Sequence, residues 1–150
     1  MSVLSVGYWL SAGTPPDKLV LGIPTYGRSW TLATPDTAIN STASGTGAPG
    51  PVTEEAGYLA YHEICRNIRE EGWTKVSDPT GFSGPYAFKD DQWVGYDDFA
   101  MVGVKARYIL ANHLGGAMFW DLPSDDFQGW CGEGASPIIS TVSSIVKDQC

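Results

Sequence analysis

Apolar residues recur along this chain in two rhythms, at helical spacing in some stretches and in short unbroken runs in others. The order of the two predicts its elements. Residues 3–10 read as the end of a helix, closed by Gly13 and barred from continuing by Pro15-Pro16. Residues 18–26, KLVLGIPTY, form a short apolar run between turn residues, the mark of a buried strand. From 33 to 51 the chain turns to Ser, Thr, Gly and Pro without period, which predicts loop or the opening of an inserted module. Thr53 is placed to cap a helix, with Glu54 and Glu55 at its positive end. Tyr58, Tyr61, Cys65 and Ile68 then share one face as far as Gly72. Short strand-like pieces at 73–76, 86–88 and 92–96, broken by Asp-Pro and Gly-Pro turns, predict a small antiparallel sheet.

Asp97 or Asp98 can cap the next helix, whose Phe99, Val102, Ala106, Ile109 and Leu110 point inward and which Gly115-Gly116 closes. Residues 117–120 form a second buried strand. Ser136-Pro137 starts a last helix with Ile138, Ile139, Val142, Ile145 and Val146 as its stripe. With the middle interruption removed, the order is βαβα, an α/β fold whose strands are of the parallel, covered kind. A closed (β/α)₈ barrel takes about 250 residues, so this order predicts roughly a quarter of one. Tyr26 and Arg28 fall on one side of the first strand's end, Met118 and Trp120 on one side of the second. If both strands belong to one barrel, these four line a single pocket at its mouth; the alternative is that Met118 and Trp120 are ordinary barrel core.

Composition narrows the function. A net charge of −8, with nine Lys and Arg scattered singly over 150 residues, argues against a nucleic-acid partner. No apolar run reaches the roughly 18 residues that cross a bilayer, so no membrane span is expected. Residues 1–13 lack the pattern of a signal peptide, and Met1 reads as an added start on a fragment. Six Trp suit either a core or stacking on sugar rings. Cys65, Cys131 and Cys150 show no metal-ligand spacing, and their odd number suggests one disulfide and a leftover. Asn40-Ser41-Thr42 is a glycosylation sequon, relevant if the chain is secreted.

Several patterns carry less than their appearance suggests. Residues 45–50, GTGAPG, match a dinucleotide fingerprint but do not join a strand to a helix. Pro49 and Pro51 also remove amides that would hold a pyrophosphate. No cofactor is expected. His62 and His113 are isolated, so no metal is expected either. Asp121, Asp125, Asp126 and Glu133 cluster after the second strand, where barrels carry active sites. Solvated loop acids and turn caps are the favoured reading of Asp125 and Asp126.

Four segments in register, KLVLGIPTYGRSWTL, GTGAPGPVTEEAGYLAYHEIC, DDQWVGYDD and GGAMFWDLPSDDFQG, resemble the glycoside hydrolase family 18 chitinases of animals; the resemblance runs from about Tyr8 to Val146. It implies the C-terminal part of a (β/α)₈ TIM barrel with an α+β insertion after strand seven. Residues 1–27 would then be barrel, 28–94 insertion and 95–150 barrel. It implies that Trp120 is the floor on which a sugar stacks and that Tyr26, Arg28, Glu55 and Met118 line the groove. Tyr58 stands where vertebrate members have Met, so its contact would differ. A Cys65–Cys131 disulfide is also implied, while Cys150 has no counterpart.

The family's catalytic signature, Asp-x-x-Asp-x-Asp-x-Glu, and the Met-x-Tyr-Asp segment of strand six are missing, so no catalytic acid is assigned here. The resemblance implies part of a secreted, monomeric chitinase that cleaves β-1,4-linked N-acetylglucosamine polymers with retention. The substrate's own N-acetyl oxygen would act as nucleophile. The alternative is a non-catalytic chitinase-like lectin that binds chitin or chitooligosaccharide. A structural module built on the insertion would instead bind no chitooligosaccharide.

Overall fold

The computed structural model describes residues 2–78 and 83–147; Met1, Cys150 and the proline of the Asp-Pro turn noted above, Pro79, lie outside them. The chain opens on α1 (Ser2–Ser11), which ends at Gly13 with φ +91°. A 3₁₀ turn at Pro16–Lys18 leads into β1 (Val20–Pro24). β2 (Tyr26–Leu32), β3 (Ala43–Thr46) and β4 (Tyr58–Ala60) follow, then α2 (Tyr61–Glu70). Next come β5 (Thr74–Val76), β6 (Tyr86–Lys89), β7 (Gln92–Gly95), α3 (Phe99–Ala111), β8 (Gly116–Trp120) and α4 (Pro137–Lys147).

Two sheets result. β1 and β8 pair in parallel, from Val20 opposite Gly116 to Pro24 opposite Trp120. The other six strands form an antiparallel sheet in the order β3-β2-β7-β6-β5, with β4 also on β2. The parallel pair is covered on one face only. Leu21 and Ile23 are buried in one cluster with Val102, Ala106 and Ile109 of α3 and Ile138 and Val142 of α4. Val20, Met118 and Trp120 are left exposed. Alternation along an extended strand sends successive side chains to opposite faces.

The run predicted as one strand over 18–26 is split. β1 stops at Pro24 and Tyr26 opens β2 in the other sheet. Thr25 makes the joint. It is 1% exposed; its N–H donates to Trp120 O, its carbonyl accepts from Tyr61 N–H, and its hydroxyl donates to Asp121 O. One buried residue thus ties both sheets and the start of α2 together.

The helix expected from Thr53 begins only at Tyr61. Glu54 has φ +52° and Gly57 φ +80°, values no right-handed helix contains. Thr53 caps nothing. Its N–H and hydroxyl, with the N–H groups of Val52 and Ala60, all donate to the buried Glu63 carboxylate. A charged acceptor holding four donors outweighs the modest gain of one extra helical turn. Tyr58 therefore lies on a strand, off the face of Tyr61 and Cys65. The aperiodic stretch after Ala33 also contains β3, whose exposed residues carry no alternation to read. Of the two candidate caps of α3, Asp98 takes the role, accepting from Met101 N–H at 2.9 Å. Asp97 pairs with Lys105.

Asp125 and Asp126 are fully buried, which corrects the reading of solvated acids. Asp125 accepts from the Ile138 and Ile139 amides at the start of α4, and Asp126 from those of Trp130 and Cys131. Each satisfies backbone donors that would otherwise be orphaned. Cys65 of α2 is joined to Cys131 by a disulfide, with Cα atoms 5.6 Å apart.

The buried groups of α2 predict acid sensitivity. Burial drives the His62 imidazole below its ordinary value, against the opposing pull of Glu63 and Asp126. The unfolded chain then binds the proton more readily, so stability falls as pH drops below about 6.5, the ordinary histidine value. Burial alone would raise Glu63, but the donors from Val52, Ala60 and Thr53 hold it low. Its contribution is complete above the ordinary glutamate value of about 4.3 and is lost as pH falls through its lower folded value. Asp125, raised foremost by burial, acts in the opposite sense. Urea midpoints followed from pH 8 to 3 therefore fall in two stages, and His62→Gln removes the upper one. An unchanged difference between wild type and variant across pH 7 to 5 contradicts the assignment.

Candidate functional site

Five of the six side chains named from the sequence fall into two neighbouring groups. Met118 and Trp120 stand two residues apart on β8, on the uncovered face of the parallel pair, 47% and 65% exposed. The second group is built by β2 and β4, where Arg28 lies opposite Tyr58 and Tyr26 opposite Ala60. Tyr26 and Tyr58 stack with centroids 4.6 Å apart and planes at 24°. The Arg28 guanidinium sits 5.0 Å from the Tyr26 centroid and 5.6 Å from that of Tyr58, within cation–π range. The Thr25 N–H bond to Trp120 O, at 3.0 Å, fixes the two groups side by side.

Glu55 is exposed in the turn before β4, and its carbonyl accepts from Tyr58 N–H. Tyr58 Oη lies 2.7 Å from Ser124 Oγ, in the 3₁₀ turn Leu122–Ser124 that follows β8. Burial raises the Tyr58 hydroxyl, the Ser124 bond opposes this, and the Asp121 and Glu55 carboxylates add to the rise. It stays protonated, a donor as well as an acceptor. Beside this stack opens a cleft of about 390 Å³, bounded by Tyr26, Arg28, Tyr86, Trp93 and the Asp97–Lys105 pair. Tyr86 and Trp93 stack at 5.3 Å.

Sequence reasoning passed over Tyr86, Trp93, Asp97, Lys105 and Ser124 as cleft and contact residues. Period-2 alternation in 86–88 and 92–96 contained the signal for Tyr86 and Trp93. Nothing local marked Ser124, which meets Tyr58 across 66 positions.

The remaining candidates have structural partners. The glycine-rich stretch 45–50 runs from β3 into packing: a Cβ on Gly47 would meet Ser29 Oγ, and one on Gly50 would meet the Glu63 carboxylate. These glycines serve close approach. Cys65, Asp126 and Cys131 bring possible metal ligands within 4.8 Å of one another. The two sulfurs are bonded to each other and the carboxylate holds two amides, so the donor set does not fit a metal ion. Asn40 is exposed, with φ +76°. Among the described residues, no helix is long and apolar enough to cross a membrane.

Residues 1–125 match the family model for glycosyl hydrolases family 18. The chain belongs to this family. It is 46% identical over 140 residues to mouse (Mus musculus) chitotriosidase-1, covering 92% of this chain and 29% of that protein. Among solved structures it matches catalytic domain 2 of the Ostrinia furnacalis group II chitinase, in complex with a penta-N-acetyl chitooligosaccharide, at TM-score 0.96 and 38% identity. The match covers 98% of this chain and 39% of the other. It also matches a human pseudo-chitinase with retained chitooligosaccharide binding properties, at TM-score 0.91 and 42% identity, covering 97% and 40%. The chain spans about a third or less of the curated relatives it matches. Its mixed α/β fold is consistent with a fragment of the family 18 barrel fold.

Proposed function

We propose that this chain forms part of the sugar-binding groove of a family 18 chitinase acting on polymers of β-1,4-linked N-acetylglucosamine. The observation that carries this reading is the exposed Trp120–Met118 face beside the Tyr26–Tyr58–Arg28 stack. Pyranose rings present apolar C–H faces that pack on aromatic planes, while guanidinium N–H groups and phenol hydroxyls bond to sugar oxygens. In this reading Trp120 is the stacking floor, and Tyr26, Arg28, Glu55, Tyr58 and Met118 are groove contacts. Residues 1–27 and 95–150 then belong to the barrel and 28–94 to an inserted unit. The protein would be secreted and monomeric, with Asn40 a glycosylation site.

In this reading the proton donor is not supplied by this sequence, which lacks the family's Asp-x-x-Asp-x-Asp-x-Glu signature. Asp125 and Asp126 are committed to backbone amides, Glu63 to four donors, and Asp97 and Asp98 to lysines. These carboxylates are engaged in holding the fold. Hydrolysis would proceed with retention, the substrate's acetamido oxygen attacking the anomeric carbon while the donor protonates the leaving oxygen.

The second reading, binding without cleavage, draws support from the human pseudo-chitinase match. A fluorogenic chitobioside separates the two. This chain alone gives no turnover, whereas the full-length protein containing it does. Turnover by the chain alone would contradict the missing acid. Binding without turnover by the full-length protein would favour the lectin.

A further inference from the structure

A second pocket, of about 350 Å³, opens on the sheet of β2, β3 and β7, lined among others by Trp30, Trp93, Ile39, Asn40 and Ser41. Its volume falls within the range of small-ligand clefts, roughly 300–1,000 Å³. Trp30 and Trp93 are cross-strand partners in the β2–β7 register. Trp93 is pinned, its indole N–H donating to Thr37 O at 3.2 Å. Trp30 is 44% exposed and Ile39 47% exposed. The open indole and the Ile beside it offer an apolar face on which a sugar ring can pack.

The wall of this pocket is itself a modification sequence. Asn40-Ser41-Thr42 is an N-glycosylation sequon, with Asn40 exposed on the turn that borders the indoles. The left-handed φ of +76° at Asn40 suits asparagine for conformational reasons alone, so the sequon by itself decides nothing. Its position does: a sugar attached at Asn40 starts at the rim of an apolar aromatic pocket.

We propose that an N-glycan on Asn40 folds back so that its first N-acetylglucosamine rings cover Trp30 in this pocket. The transfer joins Asn40 Nδ2 to the anomeric carbon of a polyprenyl-diphosphate-linked oligosaccharide. It breaks that carbon's bond to the diphosphate oxygen, and the amide gives up one proton to the transferase. The pyranose C–H faces then meet the indole, and the exposed apolar area of Trp30 and Ile39 is shielded. Passage through the secretory pathway is shared with the proposed function, and the pocket shares Ile39 and Trp93 with the cleft beside the Tyr26–Tyr58 stack. The inference does not require that Trp120 bind sugar.

The test uses the full-length protein secreted from eukaryotic cells, its N-acetyl groups labelled with ¹³C. Glycopeptide mapping is expected to find Asn40 occupied. In the wild type an acetyl methyl signal moves upfield in the indole ring current, and in Trp30→Ala it returns to the position of a free glycan. Thr42→Ala, which leaves both indoles in place, removes the glycan and shifts the Trp30 indole signals. An unmodified Asn40, or an acetyl methyl signal indifferent to Trp30, overturns the proposal. Groove binding that persists with Asn40 unmodified removes this inference and leaves the proposed function standing.

Discussion

Trp120→Ala in the full-length protein lowers affinity for chitohexaose by at least about thirtyfold, while Trp73→Ala leaves it near the wild-type value. Both are tryptophans of the same chain, so the contrast rests on position. Trp120 ends β8, is 65% exposed, and lies next to the Tyr26–Tyr58–Arg28 stack. Trp73 packs against the buried core just before β5. A flat apolar anchor at the centre of a binding site commonly contributes over ~2 kcal/mol, which is about thirtyfold in affinity. Trp73→Ala instead costs stability, because a partly buried ring leaves a cavity behind. Calorimetric titration at a temperature where both variants are folded measures the difference. Equal losses, or none for Trp120→Ala, would place Trp120 in barrel core and leave the groove without its strongest contact.

Cys131→Ser is the second large effect. The Cys65–Cys131 bridge spans 66 positions. In the chain-entropy picture, closing a loop of that length removes about 4 kcal/mol worth of disorder from the unfolded state. The bridge runs from α2 to the turn after β8, where other contacts already join the two. Arg69 donates to Trp130 O at 2.9 Å, Arg66 lies 5.6 Å from the Trp130 ring, and Tyr61 Oη donates to Glu133 at 2.9 Å. Those contacts remain in the variant, so the folded site keeps its shape and the loss falls on the unfolded side. Urea unfolding without reductant should show a markedly lower midpoint for Cys131→Ser, with chitooligosaccharide affinity retained below the transition. Cys65→Ser should match it closely. An unchanged midpoint would mean that the two sulfurs are not joined in solution.

The elements that residue pattern alone predicts are those whose burial is decided within one stretch. The stripe of Ile138 and Val142 is buried in α4, and that of Val102, Ala106 and Ile109 in α3. Residues 117–120 do form a parallel strand with the first apolar run. The acid that caps α3 was narrowed to two neighbours, because an Asp ahead of a helical stripe has one obvious use.

Other features depend on partners far away in the chain. Thr25 ends β1 through bonds to Trp120, Tyr61 and Asp121, and no local pattern foretells an acceptor 96 positions off. Thr53 has the composition of a cap, yet Glu63 claims its donors and Tyr58 is drawn into β4. Asp125 and Asp126 look like surface acids because an Asp in a turn is usually wet. Their burial follows from α4 and the disulfide loop folding over them, which leaves backbone amides only these carboxylates can satisfy.

Hydrophobic spacing, caps and strand alternation by themselves determined the α/β order and put Met118 and Trp120 on one side of a strand. Tertiary structure decided that Tyr26 and Arg28 belong to the antiparallel sheet rather than to β1, and that Tyr58 stacks on Tyr26. The physical reason is range. Periodicity reports which face of a single element is apolar, a property of neighbouring residues. A site needs to know what lies opposite that face, and here the answer comes from hydrogen bonds and ring contacts between residues tens of positions apart.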